Sequence, residues 1–102
     1  MNWATAHIER LKRGETVQFR PRGGSMTGRI EDGQLVTVEP VRVHDDVGVD
    51  DIVLVTIGGW TYVHLVKATE GHGQYQIGNN RGRINGWAPF AAIHGKVTAV
   101  EA

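Results

Sequence analysis

The feature that most constrains this chain is Asp51-Ile52-Val53-Leu54-Val55-Thr56-Ile57, followed by Gly58-Gly59 and then Trp60-Thr61-Tyr62-Val63-His64-Leu65-Val66-Lys67. The first segment is the strongest run of β-branched and apolar residues in the sequence. The diglycine supplies a tight turn and the second segment continues the pattern, so the pair predicts a β-hairpin. Side chains alternate across a strand, so Tyr62, His64 and Val66 share one face and Val63, Leu65 and Lys67 the other.

The remaining segments fit around that hairpin. Between Asn2 and Arg13, Ala4, Ile8 and Leu11 recur at spacings of four and three, which predicts a short amphipathic helix stopped by Gly14. Arg10, Lys12 and Arg13 make its end basic, complementing the helix dipole. From Glu15 onward the period becomes alternating. Thr16 to Arg20 reads as a strand ended by Pro21, Leu35 to Val38 as another, and Val41 to Val49 as a less regular stretch with His44-Asp45-Asp46 in a loop or hairpin tip. Gln74 to Ile77 is a short strand, Gly78 to Gly86 a loop rich in glycine and asparagine, and Ile93 to Val100 the closing strand. The expectation is a mainly β fold, one helix followed by about seven short strands in a barrel-like or folded-over sheet. Residues 1–14 form the helical segment and 15–102 the β domain of what is a single domain overall.

Composition narrows the chemistry. Lysine plus arginine and aspartate plus glutamate number 11 each, so no global charge draws the chain to nucleic acid or to an anionic membrane. With no cysteine, disulfides, thiolate metal sites and a cysteine nucleophile are excluded. No apolar run reaches the length of a membrane span and the N-terminus lacks the apolar core of a secretory signal, which leads to the expectation of a soluble, cytoplasmic protein. His7, His44, His64, His72 and His94 are scattered without ligand spacing, so neither a metal nor another cofactor is expected.

One loop carries the case for catalysis. In Arg22-Gly23-Gly24-Ser25-Met26-Thr27-Gly28, a serine flanked by glycines can project its hydroxyl from a tight turn while backbone N–H groups point into the same space, as a nucleophile and its oxyanion hole require. Gly-Gly-Ser is equally an ordinary turn composition. His64 is the candidate base, since imidazole titrates near neutrality; a histidine hydrogen-bonded for structure is the alternative.

Taken in order, Gly24-Ser25-Met26, Ile30, Gly33, Leu35 to Val38, Asp51-Ile52-Val53, Tyr62-Val63-His64, Gly78-Asn79-Asn80 and Gly95-Lys96-Val97 give a pattern that resembles the LexA-like and type I signal peptidase superfamily of serine peptidases. The resemblance covers roughly residues 16 to 100 and implies a mostly β catalytic fold. It implies Ser25 as nucleophile, with Gly24, Ser25 and Met26 forming the oxyanion region. His64 stands where many members have a lysine base and where the archaeal and endoplasmic-reticulum type signal peptidases have histidine. Asn79 stands near an aspartate that orients the imidazole in the histidine-type enzymes, and Asn80 is its neighbour. Other departures are Gly28 in place of proline, Gln34 in place of an acidic residue and Leu65 in place of an arginine. Neither a membrane anchor nor a DNA-binding domain is legible in the sequence.

The reading that follows is a serine peptidase acting on an extended polypeptide through a Ser25/His64 pair, with Asn79 as orienter. The competing reading is a catalytically silent module that keeps the fold as a protein-binding or regulatory surface. A third is a small nucleic-acid-binding β domain using Arg81, Arg83 and Trp87.

Overall fold

The apolar run Ile52–Val55 is unbroken because both faces of its strand are covered. In the computed structural model, which describes residues 3–43, 46–71 and 73–102, Ile52 and Leu54 pack into one apolar cluster with Leu11, Val36, Val38 and Leu65. Val53 and Val55 pack into a second cluster with Val66, Tyr75, Ile77 and Ile93. A strand buried on two sides cannot alternate polar with apolar residues. A strand farther out in the sheet, with a more exposed side, does alternate: β2 (Leu35–Pro40) buries Val36 and Val38 completely.

The elements run α1 (Thr5–Lys12), β1 (Val17–Phe19), β2, β3 (Ile52–Ile57), β4 (Trp60–Glu70), β5 (Gln74–Gly78), β6 (Ile84–Pro89), a short 3-10 turn (Phe90–Ala92) and β7 (Ile93–Glu101). One seven-stranded sheet results, in the order β1-β2-β7-β3-β4-β5-β6. All its pairings are antiparallel. Strands β1 and β6 are its two edges and do not pair with each other, so the sheet is open rather than closed into a barrel. It curves enough for β6 to touch β3 although two strands separate them in the order. Helix α1 covers the first cluster with Leu11 and, at its edge, Ile8.

Several expectations shift in detail. The helix spans Thr5–Lys12, and Asn2, where the periodicity placed its start, lies outside the described residues, as do His44, Asp45 and His72. Strand β6 occupies Ile84–Pro89, so the predicted loop over Gly78 to Gly86 is cut short. Its glycines and asparagines outweigh Ile84 and Trp87 in any local reading, but pairing with β5 supplies the missing order. Strand β4 runs on to Glu70, three residues beyond the predicted hairpin, because β5 pairs with its second half.

Gly95 shows how tightly β7 is threaded between β2 and β3. A Cβ there would stand 2.6 Å from a Val38 methyl and 2.8 Å from the Glu39 carbonyl oxygen. By contrast, nothing lies within 4 Å of one placed at Gly48. Overpacking a sheet interior costs about 1–3 kcal/mol. Gly95→Ala is therefore expected to lower the urea-unfolding free energy by that amount and Gly48→Ala to leave it within about 0.5 kcal/mol. Equal effects of the two would contradict this packing.

Candidate active site

Ser25 is held in a one-turn coil between β1 and β2. Thr27 N–H donates to the Gly24 carbonyl (3.2 Å) and Ile30 N–H to the Met26 carbonyl (2.8 Å). The Thr27 hydroxyl adds a 2.7 Å bond to Gly24. Two carboxylates close the loop from outside: Asp32 accepts from Gly23 N–H at 2.7 Å and Glu31 from Gly28 N–H at 2.8 Å. Gly28 sits at φ +98°. Proline, the residue the resemblance leads one to expect there, has neither that φ nor an N–H, so this turn is built on glycine. Gln34 takes over a carboxylate's accepting role, its side-chain oxygen receiving the Glu31 N–H at 2.7 Å. Met26 and Ile30 anchor the coil in the first core cluster.

His64 lies on β4 opposite Val53 and is 6% exposed. The period-two expectation holds: Tyr62 and His64 share a face and their rings stack, with centroids 4.7 Å apart at 22°. Leu65, on the other face, is core. An arginine there would have to be desolvated.

The two residues, 39 apart in sequence, meet: Ser25 Oγ stands 3.2 Å from His64 Nε2. The other ring nitrogen, Nδ1, is 2.7 Å from Asn85 Oδ1. An amide oxygen only accepts, so Nδ1 carries the proton and Nε2 is the free acceptor for the serine hydroxyl. Burial pushes the His64 pKa below its ordinary value; the Asn85 bond opposes that shift and the Arg83 charge adds to it. The imidazole is accordingly neutral at pH 7.

The asparagine on the ring is thus Asn85, not Asn79. The Asn79 side-chain oxygen is already committed to the backbone N–H groups of Arg81 (2.8 Å) and Arg83 (2.9 Å). It shapes the turn that leads into β6. Asn80 buttresses the serine coil, its N–H donating to the Ser25 carbonyl (3.0 Å) and its side chain to the Thr27 carbonyl (2.8 Å). Asn85 reaches the imidazole because it is an extra residue: Gly78 pairs with Ile84 and Ile77 with Gly86, leaving Asn85 without a cross-strand partner. Such a bulge re-aims a side chain. Gly78 makes room for it, since a Cβ there would lie 2.5 Å from the Arg83 carbonyl oxygen. The Asn85-Gly86 dipeptide, with Gly86 at φ +141°, is the sequence signal for the bulge.

The pair opens onto a groove of about 450 Å³. Arg20 to Gly23, Ser25, Met26 and Ile30 line it from the loop side, Thr61 to His64 from β4, and Trp3 and Glu31 complete it. The β4 segment Thr61–Val63 pairs with β3 on one side only, since β5 joins β4 from Leu65 onward. A strand edge with unpaired backbone groups therefore borders the serine. Among the described residues, none accepts from the N–H of Ser25 or Met26.

Of the other sequence candidates, Arg81, Arg83 and Trp87 are exposed. Asp51 accepts from Gly48 N–H at 2.8 Å and faces the Lys96 ammonium at 3.9 Å, a structural role at the start of β3. His94 bonds to the Thr56 hydroxyl at 2.8 Å. His7 stacks on Phe19 with centroids 4.6 Å apart. No described helix is long and apolar enough to cross a membrane. No protein-family model matches the chain, and a search of curated proteins finds no match.

Two outcomes follow from the histidine environment. The His64 pKa, read from its ring-proton NMR shifts, is expected below about 6.5, and Asn85→Asp is expected to raise it by placing a negative charge on Nδ1–H. An unchanged pKa in that variant would contradict the contact. His7 and His94 are depressed as well, burial being the larger cause in both. As pH falls below the unfolded value, the unfolded chain binds protons that the native state resists. The urea midpoint is therefore expected to be constant above the ordinary histidine pKa of about 6.5 and to decline as pH falls below it.

Proposed function

We propose that this chain is a serine peptidase of the LexA-like and signal peptidase type, in which Ser25 is the nucleophile, His64 the general base and Asn85 the residue that orients the base. The observation that carries the reading is the hydrogen-bonded series Ser25 Oγ, His64 Nε2, His64 Nδ1, Asn85 Oδ1 at 3.2 and 2.7 Å on the wall of an open groove.

The chemistry follows from that order. An extended polypeptide lies along the free edge of β4 at Thr61–Val63, adding backbone hydrogen bonds to the sheet. Ser25 Oγ bonds to the scissile carbonyl carbon as its proton passes to His64 Nε2, and the carbonyl π pair moves onto oxygen. The N–H groups of Ser25 and Met26 are the donors available to that oxyanion. Collapse breaks the C–N bond, and the leaving amine takes the proton from Nε2. Water then attacks the acyl carbon as His64 accepts its proton; collapse breaks the bond to Ser25 Oγ, which takes the proton back from His64, and the carboxylic acid product leaves. Asn85 keeps the proton on Nδ1 throughout. Being neutral, it holds the tautomer without offsetting the imidazolium charge.

That neutrality also favours a second reading, a protein-binding module with a weakened site. The two readings separate on hydrolysis. A mixture of unfolded polypeptides incubated with the protein and mapped by mass spectrometry is expected to show cuts that fall at least about 10³-fold in Ser25→Ala and in His64→Gln. In Asn85→Ala the loss is expected to be smaller, about 10²-fold, through a misaligned base. The rate is expected to rise with pH, with a midpoint below about 6.5, because only neutral His64 accepts the proton. Cuts that persist in Ser25→Ala would overturn the assignment, and an intact mixture would favour the binding module.

A further inference from the structure

The chain carries no net charge, yet the rim of the groove is basic. Arg20 and Arg22 line it on either side of Pro21, and both are exposed. Arg22 has no hydrogen-bond or ion-pair partner among the described residues, and Arg20 gives one guanidinium nitrogen to the Gly33 carbonyl at 2.8 Å. Arg81 is not part of the groove lining but approaches the serine turn: its guanidinium lies 3.8 Å from where a Cβ on Gly24 would stand. Arg83 is close enough for its charge to oppose protonation of His64. The acidic groups of this region, Glu31 and Asp32, are turned onto the backbone of the serine coil. Among the described residues, no carboxylate pairs with any of these four arginines.

We propose that the groove selects acidic segments: an extended polypeptide carrying Asp or Glu side chains close to the bond presented to Ser25, held by Arg20, Arg22 and Arg81. The inference rests on the peptidase reading only in taking an extended polypeptide as occupant. A guanidinium fork matches a carboxylate in two parallel hydrogen bonds, and several such groups around one cleft attract an anionic chain before it docks. A polypeptide suits the groove better than a nucleic acid does. The unpaired edge of β4 offers backbone pairing that only a peptide returns.

The test separates binding from cleavage. Fluorescence anisotropy of Ser25→Ala is measured with three labelled ten-residue peptides that differ only in having Glu, Gln or Lys on both sides of a central Ala-Ala. The Glu peptide is expected to bind at least tenfold more tightly than the Gln peptide, an advantage lost at 0.5 M NaCl. It is expected to fall below threefold in a background of Arg22→Gln with Arg81→Gln. Arg22→Glu is expected to shift preference toward the Lys peptide, a gain that misfolding could not produce. Equal affinities, no binding of any peptide, or tighter binding of a ten-residue oligothymidylate would overturn the proposal. Binding of the Glu peptide with no cleavage by the unsubstituted protein would uphold this inference and defeat the peptidase reading.

Discussion

The structure depends on burying the β3–β4 hairpin from both sides. Strand β3 gives Ile52 and Leu54 to one apolar cluster and Val53 and Val55 to the other. To cover two faces with a chain of this length, the sheet must curve until β6 meets β3, and the helix must close what remains. His64 inherits its properties from that arrangement. It lies on the hairpin's second strand, opposite Val53, where water is scarce and the charged imidazolium is disfavoured. A hairpin buried on one face only could leave the same histidine solvated and free to rotate.

Around the buried ring, polar contacts are arranged so that each element fixes the next. Asn79 ties down the turn before β6, the turn allows the bulge, and the bulge delivers Asn85 to Nδ1. Asn80 holds the serine coil from the same loop. Arg29 fastens the far end of that coil to Asp50 through its carbonyl at 3.1 Å and its carboxylate at 3.3 Å. Asp50 itself stands at φ 79°, a conformation that costs a non-glycine residue about 1–3 kcal/mol. The pair is exposed, so its value is in position rather than in stability.

Much of the architecture is legible in local pattern. The helix and the strands at Leu35, Gln74 and Ile93 follow from periodicity, because each buries a face that the period defines, and the hairpin follows from its unbroken apolar run and diglycine turn. Strand β6 is not legible in the same way: its bulge breaks the alternation, and Asn85-Gly86 reads as a turn. The serine coil is recognisable as a turn, but its meeting with His64 is a tertiary event across 39 residues and no local pattern encodes it; the family resemblance points to it instead. The same resemblance points to Asn79, the asparagine nearest the expected acidic position, whereas the bulge brings Asn85 to the ring. A register shift of one residue decides which side chain reaches a site, and sequence spacing does not reveal it.

The account turns on whether the buried imidazole activates the serine hydroxyl. The most direct measurement is covalent labelling with a fluorophosphonate, in which an activated serine oxygen bonds to phosphorus and fluoride leaves, followed by intact mass and peptide mapping. A single adduct on Ser25, formed at a rate that collapses in His64→Gln, is the result the geometry predicts. No adduct, or one that forms equally fast without the histidine, would contradict it.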